Sequence, residues 1–92
     1  MSIDIYEVVK EYVLTVEGLE HSVKGRISRL RKDVGVEEYY WDISHHYRPS
    51  KEHAGVYYPS GKTTNSFEDA ENHLLSYIHN FTTIDVTPNN LY

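Results

Sequence analysis

Residues 37–48 carry the strongest constraint in the chain. Tyr39, Trp41, Ile43, His45 and Tyr47 alternate with Tyr40, Asp42, Ser44, His46 and Arg48. A period of two, in a stretch rich in aromatic and β-branched residues, predicts a β-strand with one buried face. Pro49 has no N–H to give a ladder and ends it. A strand is not stable alone, so this segment demands a sheet. The least costly partner is a neighbour in sequence, joined by a hairpin.

The second anchor is a helix over 66–81. Ser66 is a good N-cap, and Asp69 three residues on makes an imperfect capping box. Phe67, Ala70, Leu74, Ile78 and Phe81 fall on one stripe at helical spacing, flanked by Leu75 and Tyr77. Glu68, Asp69 and Glu71 occupy the first turns, where the helix dipole favours negative charge. The apolar stripe needs a cover, and a sheet face supplies one.

The first third of the chain reads two ways. Ile5, Val8, Val9, Tyr12, Val13 and Val16 fit helical spacing, yet Tyr12-Val13-Leu14-Thr15-Val16 is rich in strand formers and Gly18 stops either element. Val23, Ile27, Leu30 and Val34 likewise fit a helix over 22–34 or the first arm of a hairpin turning at 32–38. Gly25 would cost a helix interior about 1 kcal/mol. The need of 37–48 for a partner favours strands at about 11–17 and 24–31. Further on, Val56-Tyr57-Tyr58 reads as a short strand stopped at Pro59, Ser50–Gly55 as a turn and Ser60–Asn65 as a loop. The tail, 82–92, alternates Ile84 and Val86 with Asp85 and Thr87, as an edge strand or a segment packed on the surface, before the turn chemistry of Pro88-Asn89-Asn90.

The expected fold is therefore α+β: one domain over 1–92, an antiparallel sheet of three or four strands, and a C-terminal helix packed on one face. At 92 residues, such a chain hides only roughly 60–65% of the surface exposed when unfolded. Its core is small, a surface site is more natural than an enclosed cofactor pocket, and no cofactor is expected. The absence of cysteine excludes disulfides, thiolate zinc sites and a cysteine nucleophile. No early segment has the basic start and apolar run of a signal peptide, and no stretch reaches the length of a membrane span, so a cytoplasmic location away from membranes is expected.

Several patterns touch on chemistry. The six histidines are His21, His45, His46, His53, His73 and His79. His73 and His79 lie about 120° apart on the helix, and His45 and His46 point to opposite strand faces. Only His46 with His53 and Asp42 could gather round a metal, and this spacing lacks a recognised metal pattern, so no metal site is expected. Gly61-Lys62-Thr63-Thr64 resembles the end of a phosphate-binding loop, but the required upstream glycine is out of register and the helix starts too late. Asp42, Ser44 and His46 are spaced along one strand rather than converging as a triad. Glu71 falls in the helix stripe, either at the sheet edge or paired with Arg26, Arg48 or a histidine; its place in the first turns favours the edge.

Two features point to binding. Lys24, Arg26, Arg29, Arg31 and Lys32 form a basic run without an acid, set in a chain of net charge −5. Near stackable aromatics, such a run suits single-stranded nucleic acid, although the overall acidity opposes it. The aromatic set is richer, with nine Tyr and one Trp. Tyr39, Trp41 and Tyr47 are expected to face the helix. Tyr40, His46, Arg48 and one of Tyr57 and Tyr58 are expected on the other face, and Tyr58 is chosen. Tyr, Trp and Arg are the usual anchors of protein interfaces. The leading expectation is thus a non-catalytic protein-interaction module, an adaptor, regulator or inhibitor, binding its partner through Tyr40, Tyr58, His46 and Arg48. Homodimerisation through an edge strand at 82–87 is a variant. The alternative is a nucleic-acid-binding domain using the basic run.

Overall fold

The computed structural model describes residues 4–31 and 38–92. Its elements are β1 (Ile5–Leu14), β2 (Val23–Arg31), β3 (Glu38–Ile43), β4 (His45–His46), β5 (Thr63–Thr64), α1 (Phe67–His79) and β6 (Thr87–Pro88). An antiparallel sheet runs in the order β1-β2-β3-β5, and β4 pairs with β6 in a small second sheet. The helix packs on β2, β3 and β5. This is the α+β fold expected, with the helix on one face.

The first third is extended, so the competing helices do not form. β1 and β2 pair from Leu14↔Val23 to Ile5↔Arg31, and β2 and β3 from Gly25↔Ile43 to Leu30↔Glu38. β1 begins well before the expected residue 11. The β2–β3 turn expected near 32–38 lies largely outside the described residues, as does Lys32. A bulge between Val8 and Lys10 leaves Val9 as the extra residue and shifts the side-chain parity of β1.

The strand expected over 37–48 is broken at Ser44. There one ladder-type bond persists, the Ser44 N–H donating to the Lys24 carbonyl at 2.8 Å, but its reciprocal is diverted: the Lys24 N–H donates to the Ser44 hydroxyl at 2.8 Å, and the Ser44 carbonyl accepts the Asn89 N–H at 2.8 Å. Beyond the break the chain turns onto β6. The expected strand at 56–58 is only a bridge between Tyr47 and Tyr57, and the loop before the helix contains the short β5. Of the tail, only Thr87–Pro88 is a strand; residues 82–86 do not form an edge strand.

Ser66 caps the helix as expected, in extended conformation, with its hydroxyl accepting the Asp69 N–H at 3.1 Å. Ala70, Leu74 and Tyr77 are the buried helix residues, while Phe67, Ile78 and Phe81 are partly buried. The packed stripe is thus turned toward Tyr77, which the sequence placed at its flank. The reason is aromatic contact: Tyr77 lies 4.8 Å from Tyr47, 5.3 Å from Tyr57 and 6.0 Å from Trp41 between ring centroids. Its hydroxyl donates to the Tyr57 carbonyl at 2.6 Å, and the Tyr47 hydroxyl donates to the Tyr77 carbonyl at 3.2 Å. Burial raises both phenols, Tyr47 to about 12.

The helix reaches the sheet because β2 presents a glycine on its core face. A Cβ on Gly25 would lie 2.9 Å and 3.3 Å from the two methyls of Leu74, a fully buried side chain. Interiors packed this tightly resist added volume. Gly25→Ala is expected to destabilise the domain by about 1–3 kcal/mol, although alanine ordinarily suits a strand better than glycine. Urea denaturation measures this, and the penalty should shrink when Leu74 is also Ala.

Candidate partner-binding surface

The register decides which residues face away from the helix. Val23, Gly25 and Ile27 of β2 and Tyr39, Trp41 and Ile43 of β3 face it, so the alternate residues turn the other way. Arg26, Ser28, Tyr40 and Asp42, with Tyr6 and Val8 of β1 and Leu91 of the tail, line a hollow of about 300 Å³. Tyr6 meets Tyr40 edge-on, with centroids 6.1 Å apart. Because the described residues 4–31 form no helix, no helix from the first third covers this sheet face, and the tail crosses part of it.

The tail is held by Asp42, a buried carboxylate at 2% exposure. Its Oδ1 accepts from the Ile43 N–H at 2.9 Å, the Lys62 ammonium at 3.2 Å and the Asn89 amide at 3.0 Å. Asn89 also donates to the Ile43 carbonyl at 2.8 Å. Farther along, the Tyr92 ring covers the Arg26 guanidinium at 4.1 Å, and Arg26 donates to the Tyr92 main-chain oxygen at 3.2 Å. Burial raises the Tyr92 phenol.

A second hollow of about 400 Å³ adjoins the first, lined by His46, Tyr58, Pro59, Lys62, residues 87–90 and Leu91. His46 is 9% exposed and held between Tyr58 at 5.0 Å and Tyr77 at 6.5 Å. Lys62 and Leu91 join the two hollows. The Lys62 ammonium sits 5.1 Å from the Tyr40 ring, and Leu91 lines both. Burial works to lower the Lys62 pKa, but Tyr40 and Asp42 outweigh it and hold it above the usual value. Lys62 is therefore a fixed cation at neutral pH.

Of the four residues expected at the interface, Tyr40, Tyr58 and His46 are brought to this surface. Arg48 is not among its lining residues. Its guanidinium donates to the His53 carbonyl at 2.7 Å, the Lys51 carbonyl at 2.8 Å and Asp85 at 3.2 Å, so it braces the 49–55 turn. Tyr6, Lys62 and Leu91 were missed. Each lies far in sequence from the strand that carries Tyr40, and only the pairing reveals them. The Gly61-Lys62-Thr63-Thr64 resemblance to a phosphate-binding loop does not hold: Thr63 and Thr64 form β5 and Lys62 donates to the Asp42 carboxylate.

The basic run divides between two faces. Lys24 and Arg26 lie on the open side. Arg29 and Arg31 share the face of Ile27, and both donate to Glu7, at 2.9 and 2.8 Å. Arg31, then Arg29, holds the Glu7 carboxyl below its usual range. Glu71 lies where the helix meets the edge strand, as its position suggested, but its partners are Tyr12 and Lys10 rather than Arg26, Arg48 or a histidine. The Tyr12 hydroxyl and then Lys10 lower its pKa, which suits a structural carboxylate rather than a general acid. Among the described residues no three His, Asp or Glu groups gather to hold a metal, and no helix is long and apolar enough to cross a membrane. The unforeseen histidine contact is His21 stacked on His45, centroids 4.6 Å apart.

Compared with protein-family models, with curated proteins and with solved structures, the chain finds no match in any of the three. The reading of this surface therefore rests on its own chemistry.

His46, which lines this surface, and its neighbour His45 make the stability of the fold depend on pH. Burial, then His21, lowers the pKa of His45; burial, then Lys62, lowers that of His46, both from 6.5. The unfolded chain then binds protons more readily than the folded one, so stability rises with pH. Urea midpoints are expected to hold above pH 6.5 and to fall as pH drops through the lowered values. His45→Gln should flatten part of that fall; a midpoint that rises on acidification over this range would contradict the assignment.

Proposed function

We propose that this protein is a non-catalytic interaction module that binds another protein across the surface formed by Tyr6, Tyr40, Lys62, His46 and Tyr58. The observation that carries the reading is the exposure of large apolar groups round two adjoining hollows: Tyr58 at 66% and Leu91 at 90%. Clustered apolar side chains of this kind mark interaction sites. Aromatic anchors beside a fixed cation, with a polar rim from residues 87–90, match the composition of interface centres. The charged groups nearby serve structure. Asp42 Oδ1 already accepts three donors, and Glu71 is held by Tyr12 and Lys10. That arrangement favours binding over proton transfer.

Nucleic-acid binding remains the second reading, and one observation favours it. Arg26 and Lys24 share the open face with Tyr6 and Tyr40, the pairing of cation and ring that holds single strands. Arg29 and Arg31, committed to Glu7 on the other face, contribute less to it.

Affinity capture of the full chain from its native lysate, with and without nuclease, separates the two. The expected result is a stoichiometric protein that survives nuclease and is lost on Tyr58→Ala and on Tyr40→Ala. Truncating an interface anchor typically costs about 2 kcal/mol or more, an affinity loss of about thirty-fold. Circular dichroism should report both variants folded. Undiminished capture by a folded double variant would remove this surface from the account, and a haul that vanishes with nuclease would favour Lys24 and Arg26.

A further inference from the structure

β1 forms one edge of the main sheet, and among the described residues no strand pairs with its outer side. It is ten residues long, whereas the opposite edge, β5, has two. Ile5, Tyr6, Val8, Val9 and Val13 along it are each between 44% and 62% exposed. Proteins usually blunt such an edge with proline, charge, a bulge or a covering loop. β1 has no proline; it has the bulge at Val9 and the charges Glu7, Lys10 and Glu11, but it remains long and carries exposed apolar side chains.

Glu7 already accepts from Arg29 and Arg31, and Lys10 already donates to Glu71 within one copy, yet both are half-exposed at the edge, and their opposite signs select an occupant. Two copies of one strand meeting about a two-fold axis must pair antiparallel. Opposed residues must also lie on the same face. The bulge at Val9 shifts parity, so Ile5, Glu7, Lys10 and Tyr12 share the helix side while Tyr6, Val8 and Glu11 share the open side. Among the registers that satisfy both conditions, one sets Lys10 of each copy opposite Glu7 of the other, twice by symmetry, and this charge complementarity selects it. It also sets Ile5 opposite Tyr12 and brings Val8 against Val9. No like charges oppose one another. We propose that β1 is a homodimer interface, pairing with β1 of a second copy in this register to form one continuous sheet. Because the other edge is only two residues long, the assembly closes at two copies instead of growing into a fibre. The open-face surface described above shares Tyr6 and Val8 with this edge, but its other lining residues lie on β3 and the segments around Lys62 and Leu91, so the charge exchange below tests the edge alone.

The test is a charge exchange. Light scattering on the full-length wild type should give, with rising concentration, a mass approaching twice 10.8 kDa. Lys10→Glu places glutamate opposite Glu7, and Glu7→Lys places lysine opposite Lys10, so each variant alone should be monomeric. Mixed in equal amounts they should restore the dimer, because each then meets its complement; a folding defect cannot produce that rescue. A second measurement uses the wild type only: amide exchange in β1 should slow as protein concentration rises. A wild type monomeric at every concentration, a dimer indifferent to both substitutions, or β1 exchange independent of concentration would overturn the proposal.

Discussion

Asp42 sits on β3, shut off from solvent, with one carboxylate oxygen shared among a backbone N–H, the Lys62 ammonium and the Asn89 amide. A buried charge is tolerable only when it is paired and hydrogen-bonded. Here each partner comes from a different part of the chain: the strand itself, the loop before β5, and the tail. Holding the charge and assembling the surface are therefore one event. Without the carboxylate, Lys62 loses the partner that holds it beside Tyr40, and Asn89 loses one of the bonds that lay residues 89–92 across the sheet. Leu91 belongs to both hollows only while that tail is in place.

The same strand links this surface to the core. On the helix side of β3, Trp41 is buried against Tyr77, and its indole N–H donates to the Gly61 carbonyl at 3.3 Å. The Trp41 backbone N–H donates to the Lys62 carbonyl at 2.9 Å. The core thus aims Lys62 from one side and Asp42 holds it from the other. The helix approach that buries Trp41 depends in turn on Gly25, where Leu74 occupies the space a side chain would need. Core packing and surface chemistry meet in a stretch of a few residues.

The sequence disclosed those elements whose side-chain pattern was undisturbed. The alternation through Tyr39, Trp41 and Ile43 gave the right faces to β3, and Ser66 with the stripe to Leu74 located the helix. It obscured β1 for a definite reason. The bulge adds one residue at Val9, so the apolar positions Ile5, Val8, Val9 and Tyr12 acquire helical spacing in a chain that is extended. β2 was blurred by Gly25, an apparent gap in its apolar face that Leu74 fills from the helix. The break at Ser44 was hidden because alternation continues through His45 to Tyr47, whereas the interruption comes from a serine hydroxyl taking a backbone partner. Tyr40 was legible as an outward residue. Tyr6, Lys62 and Leu91 were not, since their roles come from strand pairing and from the bonds to Asp42. Arg48, credited to the surface by parity, answers to the carbonyls of the 49–55 turn.

The claim that one carboxylate organises this surface is most directly tested by amide hydrogen exchange on Asp42→Ala beside the wild type. The expected result is local. Exchange should accelerate at Asn89 and Tyr92, whose N–H groups donate to the Ser44 and Asn89 carbonyls, while the N–H groups between β2 and β3 keep their protection. A tail as protected as in the wild type would contradict the account, and so would a uniform loss of protection through β2 and β3, which would make Asp42 a support of the core rather than the tie that builds the surface.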